Sequence, residues 1–486
     1  SQTRKAAVVL AEVEMHRALT AACFLAMCLA VSASGKPGGP AHEVVAWMLQ
    51  QDFGYCPPTQ IHVAYAGAPT ELSISWYTTL PTQSPRVGIE YDDDSETAWF
   101  SADMTTYLPS AGWFYNATVS GLTPDAEFHY VVGSDANGYS DTHHFYAPPP
   151  HGDKTRTTTV ASYGDMGIFE YSMSTVQAVS RLAENNVIDF VLHAGDYGYG
   201  DDRSACYYEE CWNTFFDQNI YTMQHVPYMT AAGNHEKHCG SDDCDFYSDH
   251  FNVFRHRFHP PAAASKSSTN MWYSFQVANI HFIAIDTETD YPNSPDGNYF
   301  GDQLGWLEND LQAANANAEV DWIIAFGHRP WYVSSYDFTV LGHPDNGYQY
   351  TQQAFEPLFH QYGVDLYIDG HCHAYERVYP TYESTVYGNN TMHQYVNPPV
   401  TSYLVNGNAG NIEGFYGSWS VVKPEWSAFR YHEEHGYGIM DVTGDTLTWS
   451  YWRSRDNGLL DFFEIVKTND TATVKPPQPP VHPSLR

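Results

Sequence analysis

The stretch VDLYIDGHCHAYER, Val364 to Arg377, runs an apolar segment straight into a Gly-His-Cys-His cluster. Val364–Ile368 has the composition of a buried strand, and Gly370 suits the sharp turn that ends one. In extended backbone, residues two apart share a face. His371 and His373 therefore point one way and Cys372 the other, toward packing or a disulfide. Paired imidazoles at a strand end suit a metal site, but this stretch alone leaves incidental histidines equally open.

Four other places repeat the arrangement. TTTVASY leads to Gly164-Asp165, IDFVLHA to Gly195-Asp196, VPYMTAA to Gly233-Asn234 and DWIIAF to Gly327-His328. Helical patterns lie between them: Met173, Val176, Val179 and Leu182; Leu304, Leu307 and Leu311; Phe355, Leu358 and Phe359. Strands alternating with helices predict an α/β domain. In open α/β sheets, sites form beyond the carboxyl ends of strands, where glycine allows close backbone approach. Five repetitions in one region make coincidence a poor account of the first.

The flanks read differently. From Pro57 to Tyr146 the runs are short and alternating (IHVAY, ELSISW, FHYVV), with turns such as GLTPD between them, which predicts a small antiparallel β-sandwich. A stiff proline-rich linker, APPPHGDK, follows. The expected organisation is a sandwich over 57–147, an α/β domain over 157–400, a strand-rich segment completing it over 401–468, and an unstructured tail over 475–486.

Charge and address narrow the function. With 57 Asp+Glu against 22 Lys+Arg, the net charge is −35, and protonating all 24 histidines would bring it to −11. Nucleic acid is excluded as a partner, since no basic stretch offsets that field. From Met15, MHRALTAACFLAMCLAVSASG has a basic start, an apolar core and small residues before a cleavage point near residue 34. It reads as a secretory signal, so 1–34 (upstream extension and signal) is set aside, and no later run is long enough to anchor in a membrane. Export makes disulfides the default. Cys206 with Cys211 and Cys239 with Cys244 each close a short loop, leaving Cys56 and Cys372 unassigned. Sequons at Asn116, Asn389 and Asn469 fit the same route to an extracellular, or acidic vacuolar or lysosomal, location.

Asp165, Asp196, Asn234, His328, His371 and His373 are the candidate ligands. Oxygen and imidazole donors without thiolate suit hard or borderline ions. The set is too large for one ion and would serve two, about 3.5–4 Å apart, with one carboxylate shared.

The series GDMG (164–167), GDYGY (195–199), GNHE (233–236), GHRPWY (327–332) and GHCH (370–373) resembles the five-motif signature of the purple acid phosphatases, which are secreted metallophosphoesterases. NGNAGNIEG and HGYGIMDVTGDTLTWSYWRS resemble that family's carboxyl-terminal segment, so the likeness spans most of 57–468. It implies a fibronectin-III-like sandwich ahead of a four-layer α/β/β/α domain. It also implies Fe(III) held by Asp165, Tyr199 and His373, and a divalent Zn, Mn or Fe held by Asn234, His328 and His371, with Asp196 bridging. Tyr199 is the sharpest marker, because a phenolate on Fe(III) colours the protein violet; as a lone tyrosine it would read as packing. Ala325 departs from the valine usual there, a packing change. In the loop after the fourth motif, VSSYDFTVLGHPDN, His343 is the only further histidine.

The activity so implied is hydrolysis of phosphate monoesters at acidic pH. A hydroxide made available on the trivalent ion attacks phosphorus, and His235 protonates the leaving alkoxide. Two other readings remain: a phosphodiesterase or nucleotide pyrophosphatase on the same fold, and a non-catalytic secreted binding protein. The resemblance also allows a homodimer, although no residue marks an interface.

Overall fold

The computed structural model describes residues 56–91, 96–201, 206–239, 250–335, 348–416, 418–469 and 475–485. The signal segment, Cys244 and His343 lie outside them. Among the described residues no helix is long and apolar enough to cross a membrane.

The amino-terminal region folds as two antiparallel sheets. One orders Thr59–Tyr65, Glu71–Thr78, Trp113–Ser120 and Asp103–Thr105; the other is built on Arg86–Glu90 and Glu127–Ser134. Their alternating residues meet inside, where Trp76 stacks on Tyr115 with ring centroids 5.2 Å apart. Such stacking adds to simple apolar burial.

The central region is a pair of face-packed mixed sheets. In the first, Thr157–Tyr163, Phe190–Ala194 and Tyr228–Ala231 run parallel, and Gly436–Thr443 pairs antiparallel with the first of them. In the second, Ile280–Ala284, Trp322–Phe326, Leu366–Asp369 and Ser402–Asn406 run parallel. One buried cluster lies between the sheets, including Leu192, Met229, Phe282, Ile324 and Leu404. A second lies under helices Met173–Glu184 and Tyr208–Met223, and a third under Gln303–Ala316 and Tyr348–Tyr362. Helices outside, sheets inside: the architecture is α/β/β/α. Strands covered on both faces are apolar throughout instead of alternating.

The carboxyl-terminal segment supplies inner strands of both sheets, Ser402–Asn406 in one and Gly436–Thr443 in the other. The tail differs from expectation. Residues 475–485 are not structureless: His482 is buried, its Nε2 lies 2.7 Å from Tyr437 Oη, and its ring stands edge-on to Trp452. Extended, proline-rich backbone also suits a strap, and His482 pins this one over Tyr437 and Trp452.

Candidate metal centre

Turns after five strands deliver the candidate side chains to one buried cluster. Asp165, Asp196, Tyr199 and His371 adopt left-handed backbone, with φ of 58°, 57°, 52° and 62°. Each costs about 1–3 kcal/mol for a residue with a Cβ, and such strain gathers at functional sites. The adjoining glycines are a steric necessity. A Cβ on Gly370 would collide with Asp165 Oδ2, and one on Gly233 with Asp196 Oδ1.

The donors fall into two sets. In the first, Tyr199 Oη lies 3.3 Å from Asp165 Oδ1 and 3.2 Å from His373 Nε2, and His373 Nε2 lies 3.4 Å from Asp165 Oδ1. In the second, His328 Nε2 lies 3.0 Å from Asp196 Oδ2 and 3.1 Å from the Asn234 amide oxygen. Donor atoms of Asp196, His328 and His371 all lie within 4.8 Å of one another. The His371 amide donates to Asp165 Oδ2 at 2.8 Å and ties the sets together. All seven residues singled out from the motifs are thus neighbours.

The cluster suits cations. His328 Nδ1 donates to Ala194 O at 2.8 Å and His373 Nδ1 to Gly414 O at 3.0 Å, so both rings turn Nε2 inward. That arrangement orients metal-binding imidazoles. Asp196 Oδ2 is buried and accepts no well-directed hydrogen bond. A buried carboxylate oxygen left so is costly unless charge is brought to it.

Electrostatics within the protein point the same way. Burial opposes ionisation of Asp196, but His328 and His235 outweigh it and hold the carboxyl well below its usual range. Burial also opposes charge on His328, yet Asp196 lifts it to about 9. His371 is pushed well below 6.5 by burial and by Arg329. Burial and then Asp165 push the Tyr199 phenol well above 10, so only a strong nearby positive charge would ionise it.

His235 sits beside this cluster. Its Nδ1 lies 2.7 Å from Asp201 Oδ1, and its ring rests 4.2 Å from that of Tyr199. Nε2 faces the centre, 3.9 Å from Asp196 Oδ2 and 3.8 Å from Glu413 Oε1.

Several neighbours escaped the sequence reading. Glu236 of GNHE accepts from the backbone N–H of Asp196, Tyr197 and Gly233 at 2.8, 3.0 and 2.8 Å, knotting the second motif to the third. Glu413 and Tyr416 arrive from the carboxyl-terminal segment: Glu413 Oε2 lies 3.8 Å from His373 Nε2, and the Tyr416 ring stacks on His373 at 4.3 Å. Glu236 and Glu413 stand inside quoted motifs, a signal that was available; Asp201 and Tyr416 carried none.

The remaining candidates lie elsewhere. A disulfide joins Cys206 to Cys211 across 5.7 Å between Cα atoms, Cys239 is disulfide-bonded, and Cys244 lies outside the described residues. Cys372 is buried with Val333, Ala374 and Val405. Asn389 and Asn469 are exposed. Asn116 is mid-strand, its amide donating to Ser73 Oγ at 2.6 Å and Ser75 Oγ at 3.0 Å, bonds that a glycan on that nitrogen would disturb.

The family described as "Purple acid Phosphatase, N-terminal domain" matches residues 58–147, "Calcineurin-like phosphoesterase" 139–375 and "Iron/zinc purple acid phosphatase-like protein C" 400–462. "Acid phosphatase type 7" of Danio rerio is 30% identical, covering 80% of this chain and 86% of its own. "Acid phosphatase A" of Cryphonectria parasitica is 28% identical over 85% and 92%. The solved purple acid phosphatase PPD1 of yellow lupin, Lupinus luteus, superposes with a TM-score of 0.72 at 22% identity, covering 88% of this chain and 78% of that one.

Proposed function

Starting from a chain that belongs to the purple acid phosphatase family and is an acid phosphatase, we propose that it is a secreted enzyme hydrolysing phosphate monoesters at a two-cation centre. The observation that carries this is the buried meeting of seven oxygen and nitrogen donors from five turns, with the Tyr199 phenol among them.

Asp165, Tyr199 and His373 would hold a trivalent iron, and Asn234, His328 and His371 a divalent Zn, Mn or Fe, with Asp196 between them. Cations so held supply Lewis acidity, withdrawing charge from water and from phosphate oxygens where bulk hydroxide is scarce.

The chain supplies the rest. Asp201 fixes the His235 ring through Nδ1, leaving Nε2 as the proton donor to the departing alkoxide. Left-handed turns at Asp165, Asp196, Tyr199 and His371 hold those ligands in fixed positions. Loops near the centre are tied by the Cys206–Cys211 bridge.

The test is elemental analysis and a visible spectrum of the purified protein, with nitrophenyl phosphate and bis(nitrophenyl) phosphate as substrates at about pH 5. The expected result is two cations per chain, a violet band that Tyr199→Phe abolishes, and faster monoester than diester turnover. A colourless, metal-free, inactive protein would sink the proposal, and dominant diester turnover would replace it with a phosphodiesterase.

A further inference from the structure

Exposure marks the open side of the centre. The side chains of Asp165, Asp196, His328 and His373 are at most 2% exposed, whereas those of His235, Asp201 and Glu413 beside them reach 14%, 19% and 36%. A phosphoryl group drawn in among the buried donors therefore leaves its alcohol on the side where these three meet water.

Glu413 is held there by its neighbours in the chain. Asn411 Nδ2 donates to Asp165 O at 3.3 Å, and Gly414 O accepts from His373 Nδ1 at 3.0 Å, so both flanks are tied to the centre. The carboxylate lies between two rings, with Oε1 3.8 Å from His235 Nε2 and Oε2 3.8 Å from His373 Nε2. These separations suit ion pairing and exceed a hydrogen bond. Among the described residues no lysine or arginine pairs with it.

The charges at this mouth do not balance. Asp201, 2.7 Å from Nδ1, already matches the one positive charge that His235 can carry. Glu413 adds a second carboxylate where the alcohol must pass. Such a group repels an anionic ester and attracts a cationic one, and both effects make specificity. The reach is set as well. As proton donor, His235 Nε2 stands about 2.6–3.2 Å from the ester oxygen. Glu413 Oε1, 3.8 Å from the same Nε2, is then in range of a charge one or two carbons along the alcohol.

We propose that Glu413 is a specificity-determining residue. It selects phosphate monoesters whose alcohol carries an ammonium group close to the ester oxygen, and turns away those with a carboxylate or a further phosphate there. This rests on the phosphatase reading and names the substrate class of the same site.

The experiment takes the metal-loaded protein and two pairs of ligands that differ in their terminal group. The first pair, 2-aminoethyl and 2-carboxyethyl phosphate, is compared by kcat/KM. The second, 3-aminopropyl- and 3-carboxypropylphosphonate, has a C–P bond in place of the ester and is compared by affinity in equilibrium dialysis. Each ratio, ammonium over carboxylate, is read in wild type, Glu413→Gln and Glu413→Ala, with metal content. Intrinsic reactivity cancels from the change in ratio, and one charge barely alters the long-range field of a chain at −35. Both ratios should fall about tenfold, because attraction to one ligand and repulsion of the other are lost together. Either variant that folds and holds its cations decides: ratios equal to those of wild type overturn the proposal. So does loss of the cations from both variants, which would assign Glu413 to holding metal. A wild-type protein that hydrolyses none of these esters, nitrophenyl phosphate included, strikes down the phosphatase reading instead.

Discussion

At His235 three carboxylates surround one imidazole: Asp201 on Nδ1, and Asp196 and Glu413 on the Nε2 side. Burial disfavours the imidazolium, but the charges of Asp196, Asp201 and Glu413 outweigh it and hold the proton well above 6.5. His235→Ala should therefore lower kcat by about 10²-fold or more for alkyl phosphates, whose leaving group needs a proton, and much less for nitrophenyl phosphate. Asp201→Asn removes one of the charges that raise the proton affinity. The acid form is then lost at lower pH, and the alkaline limb of the kcat–pH profile should move down. A limb that stays put would show that another group donates.

The carboxyl-terminal strap is an element that makes a prediction of its own. Residues 475–485 cross the outside of the first sheet, with His482 between Tyr437 and Trp452 and Gln394 Nε2 donating to Lys475 O at 2.8 Å. Truncation after Val474 uncovers those aromatics. The expected cost is roughly 1–3 kcal/mol from apolar area returned to water, read as a Tm lower by several degrees. The tail's contacts are with Tyr437, Trp452 and Gln394, away from His235 and the ligand cluster, so kcat should not change. An unaltered Tm would mean that the strap lies on the sheet without stabilising it.

Across the whole molecule, the sandwich and the α/β domain share an interior. His62 packs on Phe216, Tyr65 on Phe190 and Phe275, and buried Arg257 reaches Gln60, Tyr107, Glu209 and Asn213. His259 belongs to this junction, its Nδ1 3.2 Å from Ser75 Oγ. Burial, with His62 and His256 nearby, pushes it down to about 3. A depressed histidine is favoured neutral in the fold but takes a proton near 6.5 when unfolded. Its stabilising effect is whole above that pH and shrinks as pH falls toward about 3. Between about pH 7 and pH 5 the loss is about 2 kcal/mol. In urea unfolding, His259→Asn should narrow the stability difference between those pH values by about that amount. An unchanged difference would assign the acid sensitivity to other groups.

What the chain announced by itself is whatever depends on near neighbours. Apolar runs ending in Gly164, Gly195, Gly233, Gly327 and Gly370 marked strands and turns, because strand burial and turn sterics act over a few residues. The same turns named the donors that follow them. Folding alone decided which atoms meet: Tyr199 with His373, Arg329 with Glu288, Glu413 with His235, and His482 with Tyr437. Those pairs lie far apart along the chain, and hydrogen bonds and ion pairs depend on distances that only the packed sheets set.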